Sequence, residues 1–281
     1  MRETFYADRS ERGKLRFSGP QDKWFLHQIL TQAFEDMEAG EARDAALITA
    51  HGRMVGYLEF LATEDGLLAH FEPELKASLP DEIRRYVFAT RVEIEELDES
   101  WGLVLVGGEG AGEIVDEISA RLDDVLVHPT SSLGVPASYL WTRSAEDLVA
   151  ALEERGVQAT DEERLEAIRI EHGIARWGRE MDAKTIPQEA GIDDRAIHFD
   201  KGCYVGQEAM AKIHLRGKVN RRVARLESPA PVPAGRALHL DGARVGAVTS
   251  SVGRRALAMV RYTIEPGTAL RAGDDEVTVV G

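Results

Sequence analysis

Cys203 is the only cysteine of the chain, and it lies inside the octet Lys201-Gly-Cys-Tyr-Val-Gly-Gln-Glu208. A cysteine attacks or ligates as its thiolate, which needs a positive neighbourhood and access to solvent. Lys201, two positions away, and the glycines at 202 and 206 could supply both. Gly202 and Gly206 also permit a tight turn and close approach of backbone to a ligand. The competing reading is a small buried hydrophobe, the usual fate of an unpaired cysteine. A lone thiol becomes a nucleophile only if the fold brings it partners.

The second chemical feature is a basic strip. Lys201, Lys212, Arg216, Lys218, Arg221, Arg222 and Arg225 face one acid, Glu208, within 201–225. Such a strip could attract a small polyanion, or be a solvated face. Other patterns fail on spacing. Gly107-Gly-Glu-Gly-Ala-Gly112 lacks the dinucleotide-binding interval, and no phosphate-binding P-loop occurs. The eight histidines are scattered, without cysteine partners or an H-E-x-x-H pair, so no metal site is expected.

The chain has 281 residues, 43% hydrophobic and 30% charged, enough for one large domain or two to three smaller ones with a sizeable core. One cysteine excludes internal disulfides. A net charge of -15 argues against direct nucleic-acid or anionic-lipid binding, which rests on accumulated Lys and Arg. No apolar leader segment or membrane span is visible, so the expected location is cytoplasmic.

These groups need elements to hold them. Apolar residues at three- and four-residue spacing predict a helix over 22–37, capped by Asp22. Strands follow over 45–50 and 54–62 around His51-Gly52-Arg53, then over 66–71. A helix over 73–87 leads to strands near 91–96 and 102–106. Helix 112–122, strand 125–128, strand 138–142 and helix 145–155 complete an alternation that suggests two α+β lobes joined at a cleft. A helix opening at Asp161 runs to Gly173, and a Pro/Gly-punctuated loop continues to Gly191. Beyond Arg222, short apolar segments at 223–226, 237–240, 244–249, 257–261 and 277–280 indicate a small all-β barrel or sandwich. The expected division is a bilobed region over 1–222 and a barrel over 223–281.

The octet, with Arg216-Gly-Lys-Val-Asn-Arg-Arg222 behind it, resembles the signature of the YgfZ family of folate-binding proteins, relatives of the glycine-cleavage T-protein. Gly19-Pro-Gln-Asp22 followed by Phe25-Leu26 and Leu30-Thr31-Gln32, the segment 47–54, Leu165 to Ile174, Trp177-Gly178, Ile186 to Gly191 and Gly242 to Gly246 resemble further family segments, so the likeness covers nearly the whole chain. It implies an α+β fold: a ring of two α+β lobes with a folate cleft, plus a C-terminal small β-barrel.

The resemblance also implies roles. Glu171 matches the T-protein glutamate that accepts two N–H donors of a pterin; otherwise it is a surface helix acid. Trp177 lies in the folate-cradling loop, and Arg216, Arg221 and Arg222 would face the glutamate tail of tetrahydrofolate. Cys203 and Lys201 would be the working groups, with Tyr204, Gln207 and Glu208 setting the thiol's geometry and charge. The family's role is maturation or repair of iron–sulfur enzymes, including tRNA-modifying ones, so folate and iron–sulfur proteins or cluster-assembly factors are the implied partners. A stable cluster needs several cysteine ligands, and the chain has one. T-proteins carry an acid just after the N-terminal G-R or G-G segment; here Gly56 and Tyr57 stand there, and neither is a general base. Aminomethyltransferase activity should therefore be absent. The alternatives are a tetrahydrofolate-dependent aminomethyltransferase or demethylase, and a folate-sensing module in which Cys203 is idle.

Overall fold

The computed structural model describes residues 3–217 and 219–280, with Arg216 described for its backbone alone. Two compact units emerge: Met1–Ile48, Val55–Asp161 and Arg195–Val205 form the first; Thr49–Met54, Glu162–Asp194 and Gly206–Gly281 form the second.

The first unit is built on two antiparallel-rich sheets. Its elements are β1 (Phe5–Asp8), β2 (Gly13–Ser18), α1 (Asp22–Ile29), β3 (Ala42–Ile48), β4 (Met54–Thr63), β5 (Gly66–Phe71), α2 (Leu79–Arg84), β6 (Glu93–Glu96), β7 (Gly102–Gly107), α3 (Ala111–Arg121), β8 (Leu126–Thr130), β9 (Ala137–Thr142), α4 (Ala145–Glu154) and β10 (Gln158–Ala159). One sheet has the order β3-β4-β5-β2-β6 and the other β10-β1-β7-β9-β8. Helices α3 and α4 bury Val115, Ile118, Leu148 and Leu152 on the second sheet against Val104, Val106 and Leu140. On the first, Phe34 meets Phe60 edge-on at 4.8 Å, and Phe17 lies 5.9 Å from Phe60. The β4–β5 hairpin turns at Gly66, whose φ of +135° brings its backbone against Phe17; a Cβ there would sit 2.1 Å from the Phe17 carbonyl oxygen.

The second unit continues with α5 (Glu162–His172), α6 (Pro187–Ala190), α7 (Asp193–Ala196), whose last two residues belong to the first unit, and α8 (Gln207–Arg216). It then closes a six-stranded barrel of β11 (Arg221–Glu227), β12 (Ala237–Leu240), β13 (Ala243–Val252), β14 (Arg255–Arg261), β15 (Ala269–Ala272) and β16 (Asp275–Val279), in the order β11-β14-β13-β12-β15-β16. Closure removes the open edges that would otherwise invite strand addition. Leu226, Leu238, Val248, Ala258, Val260, Leu270 and Val277 fill it.

The α+β class and the terminal barrel match expectation. Two helices do not. The helix expected over 22–37 ends at Ile29, because Leu30 turns extended and bridges Leu47 while the Thr31 amide bonds the Ala46 carbonyl. Leu30, Ala33, Phe34 and Met37 are buried all the same, so their apolar rhythm reported the core and not a helix. The helix expected over 73–87 is a 3-10 turn at Pro73–Leu75 followed by the short α2, which starts with proline in its first turn. The strands β1 and β2, the strand β15 and the helix α8 had no counterpart in the pattern.

Candidate functional site

The octet is held by two inward side chains and presents what lies between them. Lys201 is buried, and its ammonium donates to the carbonyl oxygens of His27 (2.5 Å), Leu30 (2.7 Å) and Gln32 (2.7 Å). His27 and Leu30 stand at the C-terminal end of α1, where helix carbonyls lack intrahelical partners and the dipole favours a cation. Lys201 therefore caps that end. Burial lowers its pKa to about 7. Tyr204 is buried too, with the Lys201 nitrogen 4.8 Å from its ring centre, and burial pushes its phenol up to about 12. Gly202 and Cys203 are exposed between these anchors. Lys201 is thus a clamp on the loop that presents the thiol, with its three donors aimed at carbonyls.

Gly206 takes the left-handed conformation (φ +81°) that starts α8, a position at which any side chain would be strained. Gln207 is half-buried in the first turn, and exposed Glu208 pairs with Lys212 one turn on.

In the second unit, Glu171 lies in the last turn of α5 and meets Arg255 of β14 at 2.9 Å, while its carbonyl accepts from Arg225 at 2.9 Å. Glu171, Arg225 and Arg255 line one cavity of about 150 Å³. The expected basic strip is largely spent on protein acceptors. Arg221 makes a fork with buried Glu189 at 2.8 and 3.2 Å, and Arg222 donates to the carbonyls of Ile264 and Val223. Trp177 is buried and bridges Met181. The Arg216 side chain and Lys218 lie outside the described residues.

Sequence reasoning missed Arg255, Arg169 and Glu180. Arg169 is buried and forks onto Glu166, with further bonds to Glu180 at 2.9 Å and the Ser250 hydroxyl at 2.6 Å; Glu180 in turn accepts from Thr249 and Ser250 at 2.6 Å. This network ties α5 to β13. Two positions apart on α5, Arg169 and Glu171 lie on opposite faces of the helix, so their spacing did not single out Arg169, and nothing local pointed to Arg255.

The site around Gly56 and Tyr57 is closed by packing. A Cβ on Gly56 would sit 2.6 Å from a Leu79 methyl, and the buried Tyr57 hydroxyl donates to Asp44 of β3 at 2.5 Å. Burial raises the Asp44 pKa, against the nearby Arg195 guanidinium 3.8 Å away. Among the described residues no group of three or more His, Cys, Asp or Glu is arranged to hold a metal ion, and no helix is long and apolar enough to cross a membrane.

Residues 220–280 match the family model of the CAF17 C-terminal beta-barrel domain. The chain is 25% identical over 268 residues to a candidate transferase of the Arabidopsis thaliana chloroplast, covering 88% of this chain and 61% of that protein. It is 29% identical over 211 residues to the tRNA-modifying protein YgfZ of Yersinia pestis, covering 70% and 63% respectively. The chain thus spans somewhat less than two thirds of the length of either relative. Its fold is similar to that of glycine cleavage system aminomethyltransferase T from Bartonella henselae, with a TM-score of 0.87 over 99% of this chain and 85% of that one at 17% identity. The barrel, the relatives and the fold agree: the chain is similar to YgfZ proteins and carries the fold of aminomethyltransferase T.

Proposed function

We propose that this chain is a tetrahydrofolate-binding accessory protein of the YgfZ type, acting in the cytoplasm to support iron–sulfur cluster assembly or repair in enzymes, tRNA-modifying ones among them, through Cys203. The observation that carries this reading is the exposed thiol held between two buried anchors, Lys201 and Tyr204. A sulfur fixed this way is accessible to a partner and cannot retreat into the core. With one cysteine per chain, it serves as a transient ligand to a cluster protein and not as the holder of a resident cluster.

In this reading Glu171 takes the donor edge of the pterin. Its carboxylate faces Arg255, whose side chain is about half exposed at 53%, and exposed ion pairs contribute roughly 0–1 kcal/mol. A two-donor pterin edge can compete with so weak a pair, so Glu171 would hold the pterin after exchanging Arg255. Bound there, the reduced pterin supplies one-carbon carrier chemistry. Aminomethyl transfer or demethylation, the competing reading, lacks an acid at Gly56 and Tyr57, and Asp44 is engaged by the Tyr57 hydroxyl.

Two measurements separate the parts of this proposal. Tetrahydrofolate titrated against tryptophan emission and calorimetry should saturate, and Glu171→Gln should weaken it at least tenfold; a flat signal removes the folate assignment. Cys203→Ser should fold as the parent does yet fail to restore iron–sulfur enzyme activity in cells lacking the protein. Full restoration would reduce Cys203 to a structural residue.

A further inference from the structure

The barrel is charged unlike the rest of the molecule. Residues 220–280 hold nine arginines, no lysine and six acids, a net charge of +3, which leaves the remainder of the chain at -18 against a total of -15. Arginine carries a planar fork of donors that matches carboxylates and is enriched at protein interfaces, whereas lysine is depleted there.

Part of this charge gathers around one open groove of about 950 Å³ on the barrel. Arg221, Arg244 and Arg261 stand on its rim with Tyr262, Val245 and Met259 also line it, and Glu265 is the only acid among its lining residues. Arg221 is already neutralised by Glu189. Arg244 and Arg261 are exposed and have no carboxylate partner among the described residues, and Tyr262 is 47% exposed. Arg221 and Arg261 are also directly opposite one another on β11 and β14. Like charges at opposed positions on one face of a sheet repel, and fold stability alone gives no reason to keep the second arginine there. The groove thus combines two uncommitted guanidinium forks, an exposed aromatic and an apolar floor.

We infer that this groove is the docking site for an acidic, amphipathic peptide segment of a partner protein, whose carboxylates meet Arg244 and Arg261 while an apolar side chain rests on Val245 and Met259. Charge complementarity selects this occupant. A nucleic acid would need a longer cationic track than two arginines. The groove goes beyond the thiol and folate readings and does not depend on either.

The test is fluorescence anisotropy of the full chain with a labelled octapeptide alternating glutamate and leucine, alongside a lysine–leucine octapeptide and a uridylate octamer. The acidic peptide should bind saturably and weaken severalfold as salt rises. The double variant Arg244→Glu/Arg261→Glu, with an unchanged melting temperature as its folding control, should lose at least tenfold in affinity. Cys203→Ser and Glu171→Gln should bind the peptide as the parent does, so a failed folate or rescue experiment leaves this result intact. No binding, equal binding by parent and double variant, or tighter binding of the uridylate octamer overturns the inference. Sedimentation that shows a dimer abolished by the same double variant would also overturn it, by assigning the groove to a second copy of the chain.

Discussion

Each unit buries an arginine between two carboxylates, and the two interiors treat it differently. In the second unit, Arg169 forks onto Glu166, bonds Glu180 and Ser250, and reaches the Ile174 carbonyl, and Glu180 takes two hydroxyls besides. In the first, Arg12 sits where the two sheets face each other, 2.9 Å from Glu72, 3.3 Å from Glu59 and 3.1 Å from the Tyr139 hydroxyl. His70 packs on Tyr139 at 4.2 Å and on His128 at 4.9 Å, and His128 accepts from the Trp141 indole. Here Arg12 Nε, both nitrogens of His70 and Nε2 of His128 have no hydrogen-bond partner among the described residues, although Glu59 comes within 3.9 Å of His70 Nδ1. A satisfied buried network rigidifies, whereas an unsatisfied one carries a cost that changes with protonation. The second unit spends its polar groups on holding α5 to the barrel; the first keeps groups that can titrate.

The largest expected effect breaks the satisfied network. Arg169→Met leaves Glu180 fully buried without its guanidinium partner, its remaining donors being neutral hydroxyls and an amide, and removing one partner of a buried pair costs about 3–5 kcal/mol. Chemical denaturation should show that loss with the cooperative transition shifted to lower denaturant. A loss below about 1 kcal/mol would mean that the two interiors are energetically alike.

Next comes the titrating side. Burial, with Asp44 adding to it, raises the Glu59 pKa from 4.5 to about 7, against the pull of Arg12. An acid whose folded pKa lies above its unfolded value contributes stability that is complete below pH 4.5 and lost as pH rises through 7. Stability of the parent relative to Glu59→Gln should therefore fall across that window, by about 1.4 kcal/mol for each pKa unit of the shift. Denaturation midpoints of both proteins from pH 4.5 to 7.5 would show it. Parallel curves would mean that Glu59 stays ionised throughout.

Much of the architecture was readable in the sequence, and the unread part has a common cause. The barrel strands stood out because short apolar runs are cut by Gly, Pro and Asp, a local pattern. Strands β1 and β15 escaped because four residues are too few to set up a pattern, and β2 because its alternation of Lys14, Leu15, Arg16 and Phe17 covers only two apolar positions. The apolar rhythm past Ile29 could not tell helix from buried coil, since both face the same core. At the octet, the residue types flagged a special thiol, but Lys201 read as a charge beside sulfur. Its acceptors lie 169 to 174 residues earlier in the chain, and no local pattern encodes a contact that distant. Arg12, Glu59 and His70 are likewise unremarkable one at a time; Glu59 and His70 meet only through strand register.

The smallest effect tests whether unsatisfied nitrogens are a real cost. His70 is fully buried, burial holds its pKa well below 6.5, and neither ring nitrogen has a hydrogen-bond partner among the described residues, the Glu59 carboxylate lying 3.9 Å from Nδ1. An unsatisfied buried polar group costs about 1–3 kcal/mol, while an apolar replacement of the same shape can be neutral or stabilising. Phenylalanine keeps an aromatic face against Tyr139, at the risk of overpacking by the larger ring. His70→Phe should therefore gain roughly 1 kcal/mol at pH 7. The gain should widen toward pH 5, because a histidine with a depressed folded pKa loses stability as the unfolded state takes up its proton below 6.5, and phenylalanine has no such proton to bind. A gain that is flat with pH would leave steric fit as the whole effect, and a loss at both pH values would show that the ring nitrogens of His70 are satisfied in solution and that the two interiors differ less than their geometry suggests.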